Sequence, residues 1–136
     1  MQNRPRSILA AVDFGDASAR AVACAGFIAD RSGAALRLLH AEATEAPAYF
    51  THEQVEELEA QRRSRRAQVE RFLTDFGRQH TTHAFSIGVE ARPPVDAVLQ
   101  QAAAVNLVVM GTHGRHGPKR WWLGSVAERV LREVTR

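Results

Sequence analysis

The stretch Leu107-Val-Val-Met-Gly-Thr-His-Gly-Arg-His-Gly-Pro-Lys-Arg-Trp-Trp-Leu-Gly-Ser125 decides how the chain is read. Leu107 to Gly111 is a short apolar run with the character of a buried strand. A loop from Thr112 to Leu123 follows, then a helical segment from Ser125 to about Val134, with glycines at 111, 114, 117 and 124. Glycine permits positive φ and removes the Cβ that would hold a ligand away from backbone N–H groups. Successive amides in a curled loop form an anion nest, and the N-terminus of the next helix adds partial positive charge. A strand, a glycine loop and a helix in that order therefore predict an anion site at a strand's carboxyl end.

Working outward, the same alternation fills the chain. Ser7 to Val12 reads as a buried strand that ends at Asp13 and Gly15. Asp16 to Ser32 is a helix with a small-residue face, closed by Gly33. Ala35 to Ala41 is a second strand, and Glu42 to Phe50 a connection containing Pro47. Thr51 to Arg78 is the longest helix, with a capping box at Thr51 and Gln54. Its apolar stripe runs Val55, Leu58, Val69, Phe72, Leu73, Phe76, and Arg62 and Arg65 occupy the stripe in between. His83 to Val89 is a third strand, and a helix starting at Pro93-Pro94 runs to about Ala104. The order βαβαβαβα predicts an α/β fold, a doubly wound parallel sheet with helices on both faces, because parallel crossovers need helix-length connections. No linker or repeat divides residues 1–136, so a single domain is expected.

Composition narrows the function. The 136 residues are 45% apolar and 24% charged, an ordinary globular balance that excludes disordered and fibrous classes. The single Cys24 excludes a disulfide framework within the chain and any cysteine-rich zinc module. No run approaches the ~18 apolar residues of a membrane span, and Met1 to Arg6 carries no signal-peptide core, so a cytoplasmic protein is expected. The isoelectric point near 10.0 suggests nucleic acid. However, the formal charge is only +3, and Lys119 is the one lysine among 18 basic residues. A small excess held on arginine is not a basic patch.

The loop is neither of the standard phosphate motifs: Lys119 is followed by Arg120 rather than a hydroxyl residue, and no G-x-G-x-x-G is present. Gly111-x2-Gly114-x9-Gly124-Ser125 instead resembles the nucleotide signature of the universal stress proteins. Leu107 to Arg115 and Leu123 to Leu131 resemble that family's fourth strand and last helix, and Ile8 to Phe14 and Leu38 to Ala41 its first two strands. The likeness covers nearly the whole chain.

The resemblance implies a Rossmann-like sheet of order 3-2-1-4-5, with the Asp13 strand end and the glycine loop flanking one crevice. It implies an ATP-binding stress-response regulator or sensor. Ala11, Val12, Asp13 and Ala41 would cradle adenine and ribose, Met110, Gly111 and Gly114 would line the nucleotide, and Gly124, Ser125 and Val126 would hold the phosphates. Arg115, Lys119 and Arg120 would screen phosphate charge. The expected cofactor is ATP, with AMP or ADP as alternatives and Mg2+ carried by the phosphates; no protein metal site is expected. The expected assembly is a homodimer. The family's fifth strand, which pairs across that dimer, has no counterpart before Arg136, and Asn106 and Arg92 stand where the family usually has Asp and often Gly.

Simpler roles stand beside these. Ser125 and Glu128 are spaced as a capping box, so Ser125 could cap its helix as well as touch phosphate. Asp13 could be a turn-former before Gly15 or a cap for the following helix. His80, His83, His113 and His116 lack an acidic or cysteine neighbour at ligand spacing and read as packing or solvated residues. Trp121 and Trp122 read as loop packing. Arg62, Arg63, Arg65 and Arg66, flanked by Glu56, Glu57, Glu59 and Glu70, read as a salt-laced helix face rather than a nucleic-acid surface. Two other functions share this fold: a slow ATP hydrolase, for which the loop offers no acidic residue, and a nucleotide-free dimerising module, against which the glycine signature argues.

Overall fold

A computed structural model describes residues 3–43, 49–112 and 124–134. Four strands alternate with four helices: β1 (Ser7–Ala11), α1 (Asp16–Ser32), β2 (Ala35–Ala41), α2 (His52–His80), β3 (Phe85–Glu90), α3 (Pro94–Ala102), β4 (Leu107–Val109) and α4 (Ser125–Glu133). The strands form one parallel sheet in the order β3-β2-β1-β4. β4 is an edge of the described sheet, and the fifth strand implied by the resemblance has no counterpart among the described residues.

Strand alternation sorts the core into two layers. Ile8, Ala10, Leu36 and Leu38 pack with Val22, Ala25, Ala29 and Leu73 under α1 and α2. Leu9 and Leu39 pack on the opposite face with Val95, Val98 and Val130 of α3 and α4. α1 approaches the sheet closely because its inward face is largely alanine, with Ala25 and Ala29 in the core, while Gly26 lets Thr81 beyond α2 lie against its side. It ends as its sequence predicts: Gly33 takes a left-handed φ of 75° and donates to the Ala29 carbonyl at 2.8 Å.

α2 is far longer than its neighbours. Its 29 residues span about 43 Å at 1.5 Å per residue, against about 20 Å for the six-residue β3. Its fully buried residues, Leu73 and Gly77, lie in its last third. Gly77 is packed so tightly that a Cβ there would come within 2.4 Å of Phe85 and 2.7 Å of Leu38. The amino-terminal half therefore overhangs the carboxyl edge of the sheet. Thr51 and Gln54 form the expected capping box at its start.

Local differences from the sequence reading have physical reasons. β4 stops at Val109 rather than Gly111, where the chain leaves the ladder with β1. β3 begins at Phe85 rather than His83, because the His83 ring is drawn to Asp30 and the Ala34 carbonyl at the foot of α1. The capping box at Ser125 and Glu128 does not form: Gly124 is the N-cap, with no side-chain cap bond, and Glu128 pairs with Arg132. The arginine run is only partly internal to its helix. Arg66 pairs with Glu70 at 3.2 Å, but Arg65 reaches out to Glu42 beyond β2 at 2.8 Å, and Glu56 pairs with His52.

Candidate functional site

In open parallel sheets ligands bind outside the strand carboxyl ends where strand order reverses. Here that point lies between β1 and β4, which pair from Ile8↔Leu107 to Ala10↔Val109. Just past β1, Asp13 is half-buried and its Oδ1 accepts from the Gly15 N–H at 2.9 Å and from the Ser18 hydroxyl at 2.6 Å. Ser18 is itself buried, and its Oγ accepts from the Asp13 N–H at 2.8 Å. The carboxylate thus organises the β1–α1 turn, the turn-forming role that its spacing to Gly15 allows.

The turn is strained. Phe14 adopts φ of 65°, a left-handed conformation that costs a bulky residue about 1–3 kcal/mol. Its ring is held by Phe72, Phe76 and His40, with centroids at 4.8, 5.5 and 4.6 Å. Backbone strain beside a strand terminus, locked by an aromatic cluster and an acid, is found where a fold holds a fixed geometry for use.

At the end of β4, Gly111 lies against the first turn of α1. A Cβ there would come within 2.7 Å of the Ala17 Cβ and 3.1 Å of the Ala17 carbonyl carbon. Among the described residues Gly33 is the glycine with positive φ, so Gly111 serves close approach rather than an unusual dihedral. One step on, the Thr112 carbonyl accepts from the Gly124 N–H, which closes the ends of the glycine loop onto each other. The Gly124 amide is therefore used inside the protein. The next amides, Ser125 and Val126, open α4, and first-turn N–H groups of a helix have no carbonyl within it to bond. Those two amides and the helix dipole are what α4 presents to an anion.

The sequence-predicted residues that the structure describes lie on both layers of the sheet. Ala11, Ala41, Met110 and Val126 pack together against the core layer of α3 and α4. Val12 lies on the opposite layer, its N–H bonded to the Leu39 carbonyl at 2.8 Å. Asp13 and Gly111 both abut the first turn of α1, through Ser18 and Ala17. Ser125 is exposed at the start of α4. Gly114 and Arg115, with Lys119, Arg120, His113, His116 and both tryptophans, lie outside the described residues.

Residues that the sequence reading missed hold this edge together. His40 is buried on β2, and its Nδ1 donates to the Val12 carbonyl at 2.7 Å. Its Nε2 stands 2.9 Å from Glu42 Oε1, and Glu42 Oε2 meets Arg65 at 2.8 Å. The Glu42 carboxyl is held below the usual carboxylate range chiefly by the bond from His40, with the bond from Arg65 adding to it and partial burial opposing both. A lone histidine inside Leu38-Leu-His-Ala41 was the available signal. Ser18 had a weaker one, its five-residue spacing from Asp13.

Of the histidines read as packing or solvated residues, His80 meets Phe76 edge-on with ring centroids 4.6 Å apart and His83 is engaged with Asp30. Among the described residues no group of three or more His, Cys, Asp or Glu side chains converges. Among them, too, no helix is long and apolar enough to cross a membrane. Asn106 ties the opposite end of the sheet: its Oδ1 accepts from the N–H groups of Arg6 and Ser7 at 2.9 and 3.1 Å. Arg92 pairs with Glu90, so both departures from the family pattern lie away from the crevice.

Comparison with known proteins agrees with this architecture. A universal stress protein UspA from Lactobacillus plantarum is similar over 98% of this chain and 95% of its own, with 24% identity and a TM-score of 0.73. A universal stress protein solved in complex with cAMP covers 98% of this chain and 94% of its own, at 22% identity and a TM-score of 0.64. A protein of the same family from Burkholderia pseudomallei covers 97% and 92%, at 24% identity and a TM-score of 0.57. The curated protein sequences compared with the chain include no match. The sequence profile of the universal stress protein family matches residues 5–136. With that match over nearly its whole length and the β3-β2-β1-β4 sheet, the chain belongs to the universal stress protein family.

Proposed function

We propose that this protein binds an adenine nucleotide in the crevice between the ends of β1 and β4 and acts as a nucleotide-responsive regulator or sensor. The observation that carries the reading is the seating of Gly111 on Ala17, one residue from the Ser18 that bonds Asp13. That contact brings the end of β4 against the same turn of α1 that holds Asp13, which supports a ligand shared between the acid and the amides that open α4. The chemistry on each side suits a different part of such a ligand. Small and apolar Ala11, Ala41 and Met110 suit the flat base, and Asp13 suits a donor such as a ribose hydroxyl. The Ser125 and Val126 amides with the Ser125 hydroxyl suit phosphate oxygens, with Gly114 and Arg115 of the loop completing the phosphate side. ATP, ADP and AMP fit this division, and the cAMP complex of a protein with the same fold supports the adenine nucleotide class. Mg2+ would travel with the phosphates.

Calorimetric titration with ATP, ADP, AMP and cAMP at physiological magnesium tests the reading. Binding is expected for at least one of them, and Gly124→Val, which puts a side chain at the phosphate end, is expected to abolish it. If none binds at up to about 1 mM, a dissociation constant that corresponds to only ~4 kcal/mol, the assignment is wrong.

A further inference from the structure

A second opening lies on the other side of the sheet edge, and nothing in the nucleotide reading uses it. It is a cavity of about 200 Å³ between the overhanging half of α2 and the ends of β2 and β3. Its floor is Val69 and Val89, its inner wall is His40 and Glu42, and its outer wall carries Arg62, Arg63, Arg65 and Arg66. Strand alternation puts His40 and Glu42 on the α1 and α2 face, whereas Ala41 packs toward α3 and α4. The cavity therefore opens on the opposite layer from Ala41, and among the described residues His40 links it to the crevice edge through its bond to Val12 and its ring contact with Phe14.

Among the described residues its lining carries four arginines against the carboxylates of Glu42 and Glu90. Arg65 is engaged by Glu42 and Arg66 by Glu70. Glu42, the carboxylate facing the cavity, also takes the bond from His40. Glu90 is the second carboxylate lining the cavity; its Oε1 accepts from Gln101 of α3 at 3.0 Å and its Oε2 pairs with Arg92 at 3.3 Å. Arg62 and Arg63 have no hydrogen bond or ion pair among the described residues, although Arg62 is half-buried. Arg62 also sits, with Arg65, on the helical stripe that is apolar both above and below it. Two unpaired guanidinium forks over an apolar floor match an organic phosphate: the phosphoryl group carries a charge of about −2 at neutral pH and accepts paired N–H donors from arginine. The volume is below the ~300 Å³ at which drug-sized pockets begin, so the organic part must be small.

We infer that Arg62 and Arg63, with the Val69 and Val89 floor, form a second binding site for a small phosphomonoester of sugar-phosphate size. The site is independent of the nucleotide crevice.

Ribose 5-phosphate is the probe, titrated calorimetrically into the full chain and monitored by its 31P resonance, with ribose and citrate in parallel. Binding of ribose 5-phosphate is expected, ribose and citrate binding at least about tenfold more weakly, because ribose lacks the charge and citrate spreads its carboxylates over a bulkier branched frame, whereas one phosphoryl group accepts from both forks at a single centre. Arg62→Gln with Arg63→Gln should weaken it at least about tenfold, while Arg62→Lys with Arg63→Lys, which keeps charge but loses the forks, should weaken it less. Arg63 is exposed and Arg62 half-buried, and unchanged thermal melting confirms folding. Gly124→Val should leave the affinity as it is, which separates this site from the crevice whether or not a nucleotide binds there. The inference is overturned by no binding at up to about 10 mM, by equal binding of citrate, by insensitivity to the glutamine pair, or by loss in Gly124→Val.

Discussion

His40 on β2 donates from Nδ1 to the carbonyl of Val12, 2.7 Å away across the strand ends. That bond ties β1 to β2 just where both strands leave the sheet, and His40 then passes the connection to Glu42 and on to Arg65 of α2. One buried ring thus joins the backbone of the crevice to the overhanging helix, and stacks on the strained Phe14 as well.

Replacing His40 by leucine keeps the volume but leaves the buried Val12 carbonyl without its donor. An unsatisfied buried acceptor costs about 1–3 kcal/mol, and His40→Leu should lower unfolding stability by that amount in urea titrations. A change below about 0.5 kcal/mol would show that the bond to Val12 is not a structural tie.

Glu42 gives the fold a defined acid sensitivity. Its carboxyl is held below the ordinary 4.5, first by the His40 hydrogen bond, so the folded state favours the ionised form. A depressed carboxylate contributes stability that is complete above its unfolded value and is lost as pH falls through the folded one. Parent protein should therefore exceed Glu42→Gln in stability at pH 7, and the gap should close at pH values below 4.5. Denaturation curves at pH 7, 5, 4 and 3 check this, and a gap that widens toward acid reverses the sign of the argument.

Gly111→Ala tests the contact that sets the two sides of the crevice. The new Cβ would meet Ala17 at 2.7 Å, and the neighbour is helix backbone as well as a methyl group. Overpacking of this kind costs about 1–3 kcal/mol, and the melting temperature should fall accordingly. Pairing it with Ala17→Gly should recover part of the loss beyond the sum of the two single changes, because the residues share one space. Strictly additive losses would mean that the strain is relieved elsewhere.

Much of this was legible in the chain. Apolar runs of strand length separated by helical stripes specify a parallel α/β sheet covered on both faces, and four such units are too few to close a barrel, which leaves the doubly wound form. The same holds for Gly33 and for the Thr51 capping box, whose partners are within four residues of each other. The roles of Asp13 and Gly111 were legible only in part: sequence placed both at strand ends and offered the loop glycines either a positive φ or a close approach, and at Gly111 the fold uses the approach, against Ala17.

What tertiary structure alone decided are the contacts between elements far apart in sequence. Gly111 against Ala17, Arg65 on Glu42 and Arg37 on Gln101 join positions separated by 23 residues or more. No local pattern encodes such a pairing, because it depends on which strands become neighbours and how far each helix runs past them. The sequence of α2 shows arginines on an apolar stripe, but only the length of β3 reveals that they stand clear of the sheet, above a cavity. Hydrophobic periodicity selects the layers, a short-range property of the chain. Close packing across them then determines which polar groups meet.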